Sequence, residues 1–143
     1  MSVLKIVATN DGSASVFSEK FNQQYHSLHG AIQESMHVFI NAGLHFKIKS
    51  LNEISILEIG FGTGLNGLLT LNEAIKSNTK INFTTIEKYP LDNDIIERLN
   101  YGFIISMDNS SALLNQMHAC EWNSLTLISN EFYLKKLKYI LVK

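Results

Sequence analysis

The sequence predicts an α/β protein built on a parallel sheet, and three features carry this prediction. Residues 54–59 form a short apolar run that ends in the glycine-rich stretch 60–64. From Leu65 to about Ser77 the apolar side chains recur at helical spacing. A second strand-like run, residues 81–86, follows. Strand, turn, helix and strand in this order form a βαβ unit, in which the two strands run parallel.

A β-hairpin is predicted ahead of this unit. Residues 3–9 and 13–18 are the two strand-like runs, and Asp11-Gly12 lies between them. This dipeptide favours a hairpin turn because glycine takes a positive φ at little cost.

Residues 30–43 are predicted to form a helix. Four apolar side chains share one face at helical spacing: Ile32, Met36, Phe39 and Ile40. Ser27 is predicted to be the N-cap, and Gly43 is predicted to end the helix. We therefore divide the chain into an N-terminal hairpin and helix, residues 1–50, and the first part of a nucleotide-binding α/β domain, residues 51–143.

The remainder of the chain has weaker patterns. Residues 92–99 and 110–117 are predicted to be helical, and residues 132–136 and 139–142 are predicted to be strands. Four lysines in this part are interpreted as an exposed strand edge that resists aggregation: Lys135, Lys136, Lys138 and Lys143. Contact with nucleic-acid phosphates is the alternative.

Composition favours a globular protein. Of the 143 residues, 45% are hydrophobic and 17% are charged, and the net charge of −1 gives no overall attraction to nucleic acid or membrane. No apolar run has the length of a membrane span. The single cysteine, Cys120, cannot form an internal disulfide, so a cytoplasmic location is predicted. The five histidines lack the cysteine or carboxylate partners of a zinc site, and no metal is expected.

The glycine-rich turn and the acids beside it predict a cofactor. Gly60, Gly62 and Gly64 follow the spacing G-x-G-x-G of class I methyltransferases, whereas a dinucleotide site has G-x-G-x-x-G. Glu58 would repel a pyrophosphate, but its carboxylate can hold the methionyl ammonium of S-adenosylmethionine. Glu87, at the end of the second strand, can accept hydrogen bonds from both ribose hydroxyls.

We therefore predict a Rossmann-like class I S-adenosylmethionine-dependent methyltransferase fold, preceded by the hairpin and helix. The cofactor-binding residues predicted on the turn and the strands are Glu58, Gly60, Gly62, Thr63, Gly64 and Glu87. An NAD- or flavin-linked oxidoreductase domain is the alternative for the same turn.

Four stretches of the sequence carry a family resemblance. They are residues 9–13, residues 25–35 with Tyr25-His26-Ser27 and Glu34-Ser35, residues 37–44, and residues 57–66 extended by residues 86–91. In their order and spacing they resemble the methyltransferase domain of the tRNA 5-methylaminomethyl-2-thiouridine biosynthesis enzyme. This is the MnmC-like family, called MnmD when the domain stands alone.

The resemblance implies methyl transfer from S-adenosylmethionine to the aminomethyl nitrogen on a wobble uridine of tRNA. It makes tRNA the expected substrate and a flavin-dependent oxidase a second partner. By the same resemblance Tyr25 lines the cofactor pocket or the uridine channel. An equally open interpretation is that Tyr25 only packs at the start of the helix, and Glu34 is interpreted as a solvated helix acid.

The sequence also departs from the family. Relatives carry an Asp, a small residue, Phe, a small residue and Pro after the fourth strand, and this sequence has no such stretch. No catalytic residue is therefore assigned, and the fold is expected to be truncated, without its later strands. A non-catalytic truncated remnant stays open as an alternative function, and no oligomeric state is predicted.

Overall fold

The computed structural model describes residues 3–139, and the strands of this part form two sheets. The first sheet is antiparallel and has the order β1-β2-β3, with β1 at Leu4–Ala8, β2 at Ala14–Ser18 and β3 at Gln23–Gln24. The second has the order β4-β5-β7-β6, with β4 at Glu53–Ile59, β5 at Lys80–Glu87, β6 at Leu125–Ser129 and β7 at Phe132–Lys138. Strands β4, β5 and β7 are parallel, and β6 is antiparallel to β7.

The helices complete a mixed α/β fold. One helical run contains α1 (Ala31–Ser35), a π-helical segment (Met36–Leu44) and α2 (His45–Ile48). Helix α3 (Leu65–Ser77) connects β4 to β5, α4 (Asn93–Ile96) and α5 (Tyr101–Ile104) are single turns, and α6 (Ser110–Ala119) precedes β6. The predicted hairpin and βαβ unit are both confirmed. Within residues 3–139 no helix is long and apolar enough to cross a membrane.

Side chains of the hairpin turn cap the helical run. Ser13 Oγ accepts a hydrogen bond from the Ala31 N–H at 3.1 Å, and Asp11 Oδ2 accepts one from the Gln33 N–H at 2.9 Å. A Cβ on Gly30 would overlap the Asp11 carboxyl group, so only glycine permits this approach. The prediction that Ser27 is the N-cap was wrong, because the free amides of the first turn are satisfied from the hairpin instead.

The helical run continues past Gly43, where the sequence predicted its end. Gly43 lies inside the π-helical segment and does not adopt a positive φ. Leu44 is buried and Ile48 packs against the core, so the apolar face extends beyond the glycine. Burial of these side chains outweighs the preference of glycine for a helix end.

Strand β4 lies at an edge of its sheet in the described residues, with one face open. Leu57 is 64% exposed and Ile59 is 75% exposed, whereas Ile54 and Glu58 point to the other face and are buried. The sequence predicted a buried parallel strand here. The apolar run is present, but no described element covers the Leu57 and Ile59 side of the sheet at this strand.

The lysines near the end of the chain do not form a strand edge. Strand β7 lies between β5 and β6, and Lys136 is only 1% exposed because it shares the inward face of β7 with Phe132 and Leu134. The edge interpretation was therefore wrong for this strand. The predicted strand 139–142 falls mostly outside the described residues, as does Lys143, and β7 ends at Lys138.

The hairpin is joined to a distant part of the chain. Asn100 donates a hydrogen bond from Nδ2 to the Gly12 carbonyl at 2.9 Å and accepts one on Oδ1 from the Ala14 N–H at 2.7 Å. The buried hydroxyl of Tyr101 donates to the Ala14 carbonyl at 2.8 Å and lies 3.1 Å from the Thr63 hydroxyl. These contacts connect the hairpin with the glycine turn. The division of the chain at residue 50 stays a prediction.

Replacing Asp11 with alanine is expected to lower the free energy of unfolding by about 1 kcal/mol, because an N-terminal cap is lost. Burial acts to raise the pKa of Asp11, but hydrogen bonds from Ser13, from the Gln33 amide and from Thr9 outweigh it and lower the pKa to about 2. The contribution of Asp11 to the free energy of unfolding should therefore be complete above about pH 4 and should decrease as the pH falls towards 2.

Urea unfolding at pH 7 and at pH 3 would measure this effect. The matched control is Asp92→Ala, since Asp92 stands at the N-cap of α4 without a side-chain hydrogen bond to the helix. If the two variants lost the same free energy of unfolding at pH 7, the role of Asp11 as a helix cap would be contradicted.

Replacing both Leu57 and Ile59 with threonine is expected to reduce self-association of the chain. Threonine is β-branched and suits a strand, but it removes exposed apolar surface from an unpaired edge. Sedimentation velocity over a range of protein concentrations would measure the self-association of the wild type and the double variant. Phe103→Ser is the control, since Phe103 is exposed on α5 rather than on the sheet; an equal effect there would argue against the open sheet face.

Candidate functional site

The glycine-rich turn lies where β4 ends and α3 begins. Gly60, Gly62 and Gly64 all have positive φ, at 88°, 53° and 76°. The Gly60 N–H donates to the Ile86 carbonyl at 2.7 Å, which ties the turn to the end of β5. Residues with a Cβ rarely adopt such angles, so the three glycines are required by the backbone path of the turn.

Glu58 is a buried acid at the end of β4. It is 8% exposed, and its carboxylate accepts hydrogen bonds from Thr85 Oγ1 at 2.9 Å and from Asn66 Nδ2 at 3.2 Å. Burial raises the pKa of Glu58 to about 7, although the two hydrogen bonds oppose the shift. Among residues 3–139 no cation pairs with this carboxyl group, which could therefore receive one from a ligand.

A cavity of about 260 Å³, here called the inner cavity, opens beside Glu58. Its walls come from the β3–α1 connection, the helical run, the glycine turn and the start of α3: Tyr25, His26, Glu34, Ser35, Val38, Phe39, Glu58, Gly60, Phe61, Gly62, Thr63, Leu65 and Asn66. Asn66 Oδ1 is buried and has no hydrogen-bond partner among residues 3–139, while Asn66 Nδ2 donates to Glu58.

Glu87 supports the glycine turn from the end of β5. Its Oε2 accepts a hydrogen bond from the Gly62 N–H at 2.9 Å, and its Oε1 accepts one from the Tyr89 N–H at 2.7 Å. These bonds make the carboxylate a structural brace as well as a candidate ligand. A carboxylate has about four acceptor positions, so capacity for further donors remains.

A second cavity, here called the Glu87 cavity, has a volume of about 150 Å³ and lies across Phe61 and Gly62 from the inner cavity. Its wall consists of Phe61, Gly62, Glu87, Pro90, Leu91, Asn93, Ile96, His118, Trp122 and Lys136. Lys136 donates from Nζ to the His118 carbonyl and lies 4.6 Å from the centre of the Trp122 ring. The two acids predicted from the sequence therefore belong to adjoining cavities that share the glycine turn.

Tyr25 and Thr63 lie in the wall of the inner cavity. The Tyr25 ring packs on Gly62, at 3.2 Å from the position that a Cβ on Gly62 would occupy. Burial, reinforced by the nearby charge of Glu87, raises the pKa of Tyr25. Thr63 is fully buried and its hydroxyl lies against that of Tyr101. All seven residues predicted to bind the cofactor therefore surround the turn, and their role in binding stays a prediction.

Sequence reasoning missed several residues of these cavities. Asn66 follows the turn by two positions, and a polar amide in the first helical turn after the glycines was the available signal. Lys136 could have been found from the alternation in β7, since it follows Phe132 and Leu134 at a spacing of two. His118, whose imidazole lies 3.0 Å from the Thr63 carbonyl, had no local signal.

No group of three His, Cys, Asp or Glu side chains close enough to hold a metal ion occurs between residues 3 and 139. The chemistry available at the site is that of two carboxylates and aromatic walls. A glycine turn at the carboxyl ends of parallel strands, flanked by acids and cavities, is typical of α/β proteins that bind nucleotide-like ligands.

Comparison with known proteins points to one family. The chain is 38% identical over 89 residues to the tRNA 5-methylaminomethyl-2-thiouridine biosynthesis bifunctional protein MnmC of Leptospira interrogans serogroup Icterohaemorrhagiae serovar copenhageni; this match covers 57% of the chain and 13% of the relative. MnmC of Idiomarina loihiensis is 38% identical over 88 residues, and MnmC of Cupriavidus metallidurans is 32% identical over 99 residues. Those matches cover 57% and 66% of the chain, and 14% of each relative. No protein-family model matches the chain.

The fold agrees with the sequence matches. A crystal structure of MNMC2 from Aquifex aeolicus superposes with a TM-score of 0.76 at 26% identity, covering 98% of this chain and 44% of that one. The resemblance to MnmC predicted from the sequence is confirmed. The chain spans about one seventh of the length of these curated relatives and less than half of the solved structure.

Replacing Glu87 with alanine is expected to loosen the glycine turn and lower the free energy of unfolding by about 1–3 kcal/mol, because two backbone amides lose a charged acceptor. Amide hydrogen exchange at Gly62 and Tyr89 should become faster, while exchange in α6 changes little. Glu97→Ala is the control, at an exposed acid next to α4. Unchanged exchange at Gly62 would show that the brace does not hold the turn.

Proposed function

We propose that this chain binds S-adenosylmethionine as part of a Rossmann-like class I methyltransferase fold, and that the fold serves tRNA wobble-uridine modification. The names of the MnmC relatives refer to 5-methylaminomethyl-2-thiouridine biosynthesis, and this supports the substrate class. The reaction proposed is methylation of the aminomethyl nitrogen on that uridine. A flavin oxidase partner and a cytoplasmic location also remain proposals.

The observation that carries the proposal is the Glu58 carboxyl group in the wall of the inner cavity, which is 8% exposed and pairs with no cation among residues 3–139. A ligand with an ammonium group would give Glu58 that cationic partner. The methionyl end of S-adenosylmethionine carries such a group. A pyrophosphate would instead place negative charge beside two carboxylates, Glu58 and Glu87.

The residues present fit the rest of the ligand as well. The Glu87 carboxylate keeps acceptor capacity for ribose hydroxyls beside its two backbone bonds. Trp122 and Leu91, in the wall of the Glu87 cavity, offer apolar and aromatic surface for a base. S-adenosylmethionine, when bound, would supply an activated methyl group. The residues of this chain would hold and orient the reactants and exclude water from them.

Binding of S-adenosylhomocysteine is expected to become tighter with rising pH. Glu58 has its pKa raised to about 7, so its ionised fraction increases roughly tenfold between pH 6 and pH 8. Because the ligand's ammonium stays protonated in this range, the affinity should rise by up to about tenfold, with release of a proton on binding. Calorimetric titration at pH 6 and pH 8 would measure the affinity. Repeating it in two buffers of different ionisation enthalpy would measure the number of protons released on binding.

The control variant is Glu58→Gln, which keeps the size of the side chain and should bind more weakly without the pH dependence. NADH is the control ligand. Binding of NADH in place of S-adenosylhomocysteine by the folded chain would refute the proposed cofactor and favour the oxidoreductase alternative.

A further inference from the structure

A wide groove of about 780 Å³, here called the outer groove, runs along the exposed side of the helical run. Its polar lining includes His29, Gln33, Glu34, His37 and Asn41, and its size falls in the range of small-molecule sites. No Lys or Arg is among the described residues that line it. The groove is therefore poorly suited to bind phosphate groups, but it offers amide and imidazole groups of the kind that hydrogen-bond to base edges.

The outer groove and the inner cavity share part of their walls. Glu34 and Val38 line both, so these two side chains lie at the boundary between the groove and the inner cavity. Val38 is apolar and exposed, and Glu34 is the only acid among the described residues that line the groove. A single carboxylate therefore stands at this boundary.

The Glu34 carboxylate is held in place. Its Oε2 accepts a hydrogen bond from the Ser27 N–H at 2.6 Å, which fixes the side chain across the start of the helical run. No hydrogen bond to Oε1 occurs among the described residues. Burial lowers the pKa of the neighbouring His26 although the charge of Glu34 opposes this shift, so a neutral imidazole, and not a competing cation, lies beside the carboxylate.

We propose that the acceptor nucleoside lies in the outer groove and that Glu34 binds its amine at the boundary with the inner cavity. This inference rests on the proposed function, which places a methyl donor in the inner cavity. An alkylamine is a cation at neutral pH. Glu34 Oε1 would accept an N–H of this ammonium in a charge-assisted hydrogen bond and so position its nitrogen.

The test uses two nucleosides of nearly equal shape, 5-(aminomethyl)uridine and 5-(hydroxymethyl)uridine. Their affinities for the whole chain would be measured by ligand-detected NMR, with and without saturating S-adenosylhomocysteine. The wild-type chain should prefer the amine by about tenfold, the ratio expected from one hydrogen bond to a charged group. In Glu34→Gln this preference should disappear, since glutamine can still accept the Ser27 N–H but carries no charge.

Glu97→Gln is the matched control and should keep the preference. Affinity for S-adenosylhomocysteine would be measured for both chains, so that a loss of the nucleoside preference can be told apart from a change at the cofactor site. If S-adenosylhomocysteine does not bind, the proposed cofactor is wrong, and the nucleoside comparison without it still tests the groove. A preference for the amine that survives in Glu34→Gln, or an equal affinity of the wild type for both nucleosides, would overturn the role of Glu34.

Discussion

The backbone path of the glycine turn is the constraint on which the site depends. The turn must leave β4, meet the end of β5 through the Gly60 to Ile86 hydrogen bond, and enter α3, all within five residues. Three positive φ angles make this path feasible, and the Glu87 carboxylate braces it at Gly62. Because the turn lacks side chains at these points, cavities can lie on both sides of it. The two acids that flank it then face different cavities within one site.

The opposite wall of the inner cavity depends on the hairpin. Tyr25, His26 and Glu34 all lie close to the start of the helical run, and that start is fixed by hydrogen bonds from the hairpin turn. Residues 9–13 therefore act on the cavity without contacting it. The same stretch carried part of the family resemblance in the sequence. The capping bonds give a physical reason for the residue types found there, since Thr, Asp and Ser supply the acceptors and Gly12 supplies the turn.

Local sequence patterns predicted most of the elements but not their surroundings. The hairpin, α3, β5 and the positions of Glu58 and Glu87 followed from periodicity and turn chemistry, which depend on neighbouring residues. The cap on α1 was missed because its acceptors lie about twenty residues earlier in the chain. The exposure of Leu57 and Ile59 was missed because an apolar strand has the same pattern whether or not its face is covered. The burial of Glu58 in the wall of the inner cavity, which carries the cofactor proposal, is visible only in three dimensions.

The bonds from Asn100 and Tyr101 to the hairpin have a consequence for the order of folding. They join residues 86 to 88 positions apart, whereas the capping bonds join residues about twenty apart. Closing a longer loop costs more chain entropy and is slower, so the capped hairpin and helix can form early, while residues 100–101 are still being synthesised. Tyr101 also touches Thr63 in the wall of the inner cavity. The cavity should therefore be among the last parts of the molecule to take shape, after the chain has emerged from the ribosome well beyond the glycine turn.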